Sequence, residues 1–399
     1  MKVLDAITIT GACAVPACVS SLIPSAVGHD DRRHVVDLVP ADLLRALSEV
    51  LDPRARRGVR HRLAVILGIG VCAVLGGARS FTAIAEWARD LTPAARARVG
   101  IGRCAPSESA IRRTLQRVDP DMLDRAVSRW LAAAAGEPGP RWPAIAVDGK
   151  SARGARAGDG RAVHLLAALD HTDGVVLGQR VVDGKTNEIK AFAPLLDGID
   201  ITGAVITADA MHTQREHAEY LHLRGAHYVF IVKGNQPSLH RQLKNLPWRE
   251  IPAVDLTRGK GHARVESRTV KITSVSVGIG FPHASLAVQI TRRRRALTGH
   301  RWHTETVYAI TDLDHVQIRP DELADIIRGH WGIENRLHWV RDVVFGEDLS
   351  QIRTGHGPAV MATLRNLAIS IHRRHGATNI AAATRRVARH PNRVLPLLL

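Results

Sequence analysis

The chain has 399 residues, 45% of them hydrophobic, and its 55 Lys and Arg against 38 Asp and Glu give a formal net charge of +17 before any of the 21 His protonate. That length can bury a large core in two or three domains. The cationic excess points to a polyanionic partner, although an Ala/Arg/Gly-rich composition is the bland alternative. Cys13, Cys18, Cys72 and Cys104 form no C-x-x-C pair and no zinc-finger spacing, which leaves free thiols in a reducing cytoplasm.

Residues 1–35 lack a basic leader followed by a cleavage-site pattern and stay an unassigned extension. Val36 to Leu51 repeats apolar residues at helical spacing (Val39, Leu43, Leu44, Leu47, Val50) until Asp52-Pro53 breaks it. The loop that follows carries Arg54, Arg56, Arg57, Arg60 and Arg62, a density suited to phosphate contact as well as to a solvated turn. Leu63–Leu75 is the most apolar run, too short for the roughly 20 residues of a membrane helix, so a buried helix is expected. Phe81–Asp90 reads as a helix. Another opens at Ser107, a plausible N-cap, with Ile111, Leu115 and Val118 on one face and Arg112, Arg113 and Arg117 on the other. Residues 36–135 are therefore expected to be an all-helical domain with basic surfaces, and DNA binding is the function assigned to it.

Ala132 to Pro143 has the composition of a linker. Strands follow. Ala144–Asp148 leads into a glycine-rich basic loop (Gly149, Lys150, Arg153, Gly154, Arg156, Gly158, Gly160, Arg161). Val163–Leu169 and Val175–Val182 are joined by His171-Thr172-Asp173-Gly174, a hairpin turn. Thr186, Asn187 and Glu188 cap a helix that runs to about Leu196. Then come the strand Val205–Asp209, the helix Gln214–Leu223 and the strand His227–Lys233. Three meandering strands, then helix, strand, helix, strand, is the order of the ribonuclease-H-like fold. In that fold the first and fourth strands lie side by side, so Asp148 and Asp209 would be neighbours. A lone Asp209 would read as a cap for the next helix; two strands ending in the same acid change the weighing.

Residues 243–314 are again strand-like (Ala263–Val275, Leu286–Thr291, Thr304–Thr311) and are read as a β-rich insertion in a catalytic region spanning 136–399. The run Arg292 to Arg295 ends one of these strands, as a solvated charge run or as a contact to DNA. From Asp321 the pattern is helical: Leu323, Ile326, Ile327, Ile333, Leu337 and Val340 line one face, and His330, Glu334, His338 and Arg341 form the neighbouring stripe. A further amphipathic helix spans Pro358 to Arg374, before a basic tail.

Two acids from adjacent strands and one from a helix can hold two divalent ions about 4 Å apart, and hard Mg²⁺ prefers such oxygen donors. That arrangement serves phosphodiester hydrolysis and strand transfer. Glu334, Asp342, Glu347 and Asp348 compete for the third place. Glu334 flanks the apolar face. Asp342 lies about 80° round the helix at ~100° per residue, and Glu347 and Asp348 follow Gly346, past the expected helix end. Glu334 is the choice. A zinc site from His330, Glu334 and His338 is sterically allowed but leaves Asp148 and Asp209 without a role.

With these residues in place the chain resembles the DDE transposases of the H-repeat-associated (ISAs-type) insertion-sequence family. The resemblance rests on Ile145 to Gly154 (IAVDGKSARG), Lys185 to Ile189 (KTNEI), Val205 to Thr213 (VITADAMHT), Val232 to Gln236 (VKGNQ) and His330 to Trp339 (HWGIENRLHW), and covers roughly residues 40–399. Asp52-Pro53-Arg54, Gly58 and Gly77 to Ser80 match the family's helical region. It implies Asp148, Asp209 and Glu334 as catalytic acids, two Mg²⁺ (or Mn²⁺) ions, double-stranded terminal inverted repeats and target DNA as substrates, a homo-oligomer on DNA, and a bacterial cytoplasmic location without membrane attachment. Related transposases place Tyr, Arg and Lys at −7, −4 and +7 from the glutamate, where this chain has Ile327, His330 and Arg341. Arg341 keeps a positive charge for phosphate, His330 has one when protonated, and Ile327 offers no hydroxyl. Lys150, Arg153 and Lys233 are further candidates for DNA contact. Trp331 and Trp339 could stack on a flipped base, but a core role is expected of them. A non-mobile nuclease of the same fold and an inactive DNA-binding relic are the rival functions.

Overall fold

The computed structural model describes residues 43–57, 59–133, 141–156, 162–182, 188–261, 263–275 and 278–389. The extension 1–35, the start of the first expected helix, linker residues 134–140, the glycines at 158 and 160, Arg161, Thr186, Asn187 and the last ten residues lie outside them.

Six helices open the described chain: α1 (Leu43–Ser48), α2 (Leu63–Leu75), α3 (Phe81–Asp90), α4 (Pro93–Val99), α5 (Glu108–Leu115) and α6 (Pro120–Ala133). Side-chain oxygens of Ser80, Thr92 and Ser107 accept the backbone N–H three residues on and cap α3, α4 and α5. Every residue of α2 except Ala64 is buried, as its unbroken apolar sequence requires. Its glycines allow that enclosure: a Cβ on Gly68 would stand 2.8 Å from Leu44 Cδ2, and one on Gly70 3.1 Å from Leu364 Cδ1. Among the described residues no helix is long and apolar enough to cross a membrane.

The part of the chain after residue 141 is built on one sheet. Its strands are β1 (Ala144–Arg156), β2 (Ala162–Asp170), β3 (Val176–Val182), β4 (Val205–Ala208), β5 (His227–Val232), β6 (Asp255–Gly261), β7 (Arg264–Ser274), β8 (Leu286–Ala296) and β9 (His303–Thr311). They lie in the order β3-β2-β1-β4-β5-β9-β8-β7-β6. The first five form the ribonuclease-H-like core: β1 is antiparallel to β2 and parallel to β4. The expected insertion enters through β9, which pairs antiparallel with β5 and carries β8, β7 and β6 outward. Its residues thus prolong the core sheet. The expected basic loop after Asp148 is instead the second half of β1, paired with β2 as far as Ala152 and again at Arg156.

Helices α7 (Glu188–Leu196), α8 (Arg215–Leu223) and α9 (Pro237–Lys244) cover one face, with Phe192, Leu196, Leu221 and Leu243 packed on Val147, Leu166, Ile206 and Phe230. The C-terminal elements are α10 (Pro320–Gly329), α11 (Trp339–Val343), α12 (Gly357–Arg374) and α13 (Ile380–Arg389). The N-terminal helices do not close on themselves. Their core takes in Val360, Leu364, Leu367 and Ile371 of α12 together with Ala146, Ala167 and Leu169 of the sheet, so burial ties the helical half to the sheet.

Candidate active site

Parallel pairing sets the site. The register Ala146↔Thr207, Val147↔Ala208 brings Asp148 and Asp209 to neighbouring positions at the end of β4. Asp209 begins a 3-10 turn, Ala210–His212, and its Oδ1 accepts the Met211 N–H at 2.9 Å. The capping role and the place beside Asp148 coexist. Both acids line a cleft of ≈ 480 Å³ with Glu334, Lys233, His330, Trp331, Arg268, Arg292 and Glu305.

Glu334 sits where the expected helix changes its winding. Between α10 and α11 the residues Glu334–His338 form a π-helical turn, closed by the Trp339 N–H on the Glu334 carbonyl. Such turns recur at functional sites because the extra residue re-aims side chains. The apolar stripe Leu323, Ile326, Ile327, Ile333, Leu337 and Val340 is buried throughout, so the wider turn leaves the packing face in phase. Glu334 is 59% exposed, and its Oε2 lies 3.2 Å from Nδ1 of the buried His338. The same nitrogen is 3.6 Å from Asp148 Oδ2. Asp148, Glu334 and His338 can each place a donor atom within 4.8 Å of the other two.

The electrostatics favour a bound cation. Burial raises the Asp148 carboxyl above the usual carboxylate range, and the neighbouring Asp209 and Glu188 carboxylates push the same way against His338. The hydrogen bond with His338 lowers Glu334, and Lys150 adds to it. A carboxyl whose ionisation is opposed by burial and by two like charges is one whose charged form a divalent ion stabilises. The donors are oxygens apart from His338, which fits a hard ion such as Mg²⁺ or Mn²⁺.

Several expectations change. Arg341 is fully buried. Its Nε and Nη2 each donate to Glu347 at 2.9 Å and its Nη1 to Gln179 Oε1 at 3.1 Å, so it reaches no phosphate. His330 cannot act as a cation near neutral pH, since burial pushes its pKa down to about 4. Its Nδ1 lies 2.9 Å from Thr207 Oγ1, and among the described residues it is not grouped with Glu334 and His338 as a possible ligand, as the zinc site would require. Lys150 is 8% exposed and donates to Asp342 at 2.7 Å, with Asp348 at 3.9 Å; it braces β1 rather than projecting from a loop. Arg153 is exposed on β1, its N–H donating to Asp348. Lys233 is exposed on the cleft. Trp331 and Trp339 are 54% and 55% exposed, so neither is a core residue. Among the rival acids, Asp342 and Asp348 face Lys150, and Glu347 is buried against Arg341 and Arg365.

Sequence reasoning also passed over the support behind Asp148. Glu188 is buried at the start of α7, with Oε1 2.5 Å from His164 Nε2 and Oε2 3.5 Å from His212 Nε2, while Ser151 Oγ lies 2.8 Å from His164 Nδ1. Burial alone would raise Glu188, but the hydrogen bond with His164 and the close approach of His212 hold it down to about 2. Its carboxyl lies against Gly149, where a Cβ would come within 2.5 Å of it. Gly149→Ala is expected to push Glu188 off His164 and to destabilise the fold by about 1–3 kcal/mol. An unchanged melting temperature would show that the carboxylate moves aside freely.

Burial also pushes His171, His217 and His372, like His330, down to about 4. His171 Nε2 and His330 Nδ1 meet at Thr207 Oγ1, at 3.1 and 2.9 Å. All four are neutral in the folded chain and protonate near pH 6.5 when it unfolds. Their contribution is thus complete above pH 6.5 and is lost as pH falls toward 4, on the order of 3 kcal/mol for each group considered alone. Urea midpoints should fall steeply between pH 7 and pH 5; a flat profile would mean that these rings accept protons in place.

Two family models match this chain: the transposase DDE domain over residues 141–371 and a DDE transposase-associated region over 44–131. A protein of Escherichia coli O157:H7 named "Putative transposase YncI" is 28% identical, with 83% of this chain and 87% of the relative aligned. "H repeat-associated putative transposase YhhI" of Escherichia coli K12 is 29% identical over 82% and 89%. "Putative protein YbfL" of the same strain is 30% identical over the same shares. Among solved structures, a piggyBac transposase synaptic complex with hairpin DNA aligns with 91% of this chain and 82% of that chain, at 11% identity and a TM-score of 0.42.

Proposed function

Since the chain belongs to the DDE transposase family, we propose that it cuts DNA at terminal inverted repeats and transfers the freed ends to target DNA, with Asp148, Asp209 and Glu334 as its catalytic, metal-binding acids. The observation that carries this reading is the parallel register of β1 and β4, which sets two acids side by side on a cleft that Glu334 also lines. Two divalent ions, Mg²⁺ or Mn²⁺, held by these acids would activate the attacking water or 3′-hydroxyl and stabilise the leaving oxygen. The remaining work falls to side chains. Lys233, Arg268 and Arg292 line the same cleft as the acids and give a polyanion its electrostatic purchase. Arg292 spends part of its charge on Glu266, at 2.7 and 2.8 Å, and lies over the Trp331 ring at 5.9 Å. Trp331 is 54% exposed, and its indole would offer a base a surface for stacking.

The helical region 36–135 is the further DNA-binding part in this reading, with exposed Arg56, Arg57, Arg60 and Arg62 on phosphates. The catalytic region is 136–399, with the insertion at about 243–314, and residues 1–35 have no assigned role. A homo-oligomer brings two DNA ends together. The test is a plasmid carrying the gene's own flanking sequence, incubated with the full chain and Mg²⁺. Cleavage at the repeat ends with joined products is the expected outcome. Cutting without joining would replace the reading with a nuclease, and binding without cutting with a relic.

A further inference from the structure

His338 has a role that neither the three acids nor the apolar stripe requires. We propose that its Nδ1 is a metal ligand, so that the cation held between Asp148 and Glu334 has one nitrogen donor beside its two carboxylates. The inference rests on the reading of those two acids as metal-binding.

Three observations carry it. The first is distance. Nδ1 lies 3.2 Å from Glu334 Oε2 and 3.6 Å from Asp148 Oδ2. Neighbouring ligands of one ion are about 3 Å apart when each metal–ligand bond is ~2.0–2.2 Å, so a small adjustment of the half-exposed Glu334 completes the set. The second is the environment of the ring. His338 is 3% exposed. The polar contacts of this buried imidazole are made by Nδ1 and run to the two acids. The third is the grouping itself. Among the described residues, Asp148, Glu334 and His338 form the cluster of possible ligands, whereas Asp209 stands outside it. The two expected ion positions therefore differ in kind: an all-oxygen one between Asp148 and Asp209, and a mixed one between Asp148 and Glu334.

The π-helical turn supplies the geometry. It spans Glu334 to His338, so the segment with irregular winding delivers two of the three ligands. The consequence is metal preference. Mg²⁺ dehydrates reluctantly and favours oxygen, while imidazole nitrogen tilts a site toward transition ions in the Irving–Williams order. The mixed position should hold Mn²⁺ in preference to Mg²⁺, and His338 should set that preference.

The test is Mn²⁺ binding to the full chain without DNA, followed by electron paramagnetic resonance, with pulsed detection of ¹⁴N coupled to the bound ion. Wild type should show an imidazole nitrogen on its tighter Mn²⁺. His338→Ala should remove that signal and weaken the tighter Mn²⁺ by at least about tenfold, with a smaller loss for Mg²⁺ measured by competition. His330→Ala should keep the signal. Tight Mn²⁺ without nitrogen coupling in wild type, or coupling that survives in His338→Ala, overturns the proposal and leaves the three acids standing. Mn²⁺ affinity unchanged by Asp148→Asn would overturn the metal-binding reading of the acids themselves. If His338→Ala does not fold, the wild-type spectrum still decides, because histidine labelled with ¹⁵N must change the coupling if imidazole is bound.

Discussion

Replacing Asp148 or Asp209 with Asn is expected to slow DNA cleavage by at least about a thousandfold, a loss of about 4 kcal/mol of transition-state stabilisation, with DNA binding kept. The reason lies in the sheet. Each acid comes from a strand whose neighbours fix it: β1 is held by β2 and β4, and Asp209 follows β4 directly. An isosteric amide keeps that packing and the Met211 cap while removing the charge that holds a cation. Removing a negative charge from a cleft that faces a polyanion should leave DNA affinity equal or higher. Glu334→Gln belongs to the same series. Asp342→Asn is the control: it takes away a partner of Lys150 but no acid lining the cleft, and should keep cleavage within about tenfold. Gel-based cleavage of a repeat-bearing duplex, with binding measured separately, separates these cases. Wild-type cleavage by any of the three acid variants would remove that residue from the reading. A collapse of binding alongside cleavage would mean that the fold had been damaged.

How much of this was legible beforehand depended on whether the signal was local. The strands and the parallel neighbours β1 and β4 followed from element order, because few topologies join three meandering strands to alternating helices. Leu63–Leu75 was legible as buried because its sequence has no polar face to offer. The second half of β1 was not. Gly149, Gly154 and the basic residues between them read as a loop, yet pairing with β2 overrides that local composition. Gly149 is small for another reason, since the Glu188 carboxyl lies where its side chain would be. Cations were the least legible. A charge in a sequence does not reveal its partner, so Lys150, paired across 192 positions with Asp342, looked free. The stripe of His330, Glu334, His338 and Arg341 assumed one helix. Past the π turn Arg341 is buried, with its donors taken by Glu347 and Gln179.

The buried arginine gives the second large effect. Glu347 lies under Arg341 and Arg365, accepting from Arg365 Nη1 at 2.8 Å as well as from Arg341, while Gln179 Oε1 accepts from both Arg341 and Asn366. This cluster joins β3, α11 and α12. Burial would raise the Glu347 carboxyl, but the two guanidiniums outweigh it and hold it down to about 2. Glu347→Gln is expected to be the most damaging change, because it strands two buried guanidiniums. A loss of about 3–5 kcal/mol or failure to fold should follow. Arg341→Met should cost less, since Arg365 still neutralises Glu347, and Arg365→Met should cost least, since the two-pronged Arg341 pair survives. Arg341→Lys should not restore stability, as an ammonium cannot span both carboxylate oxygens. The acid side of the same pairing has a definite sign. Glu347 ionises near 4.5 in the unfolded chain and near 2 in the folded one, so its contribution is whole above pH 4.5 and drains away as pH falls toward 2. Urea midpoints rank the variants. A phosphate-contacting Arg341 would give the opposite pattern, with unchanged midpoints, weaker DNA binding and a shallower salt dependence. The measured order of the three deletions therefore decides whether this arginine holds the platform of the cleft or grips what lies in it.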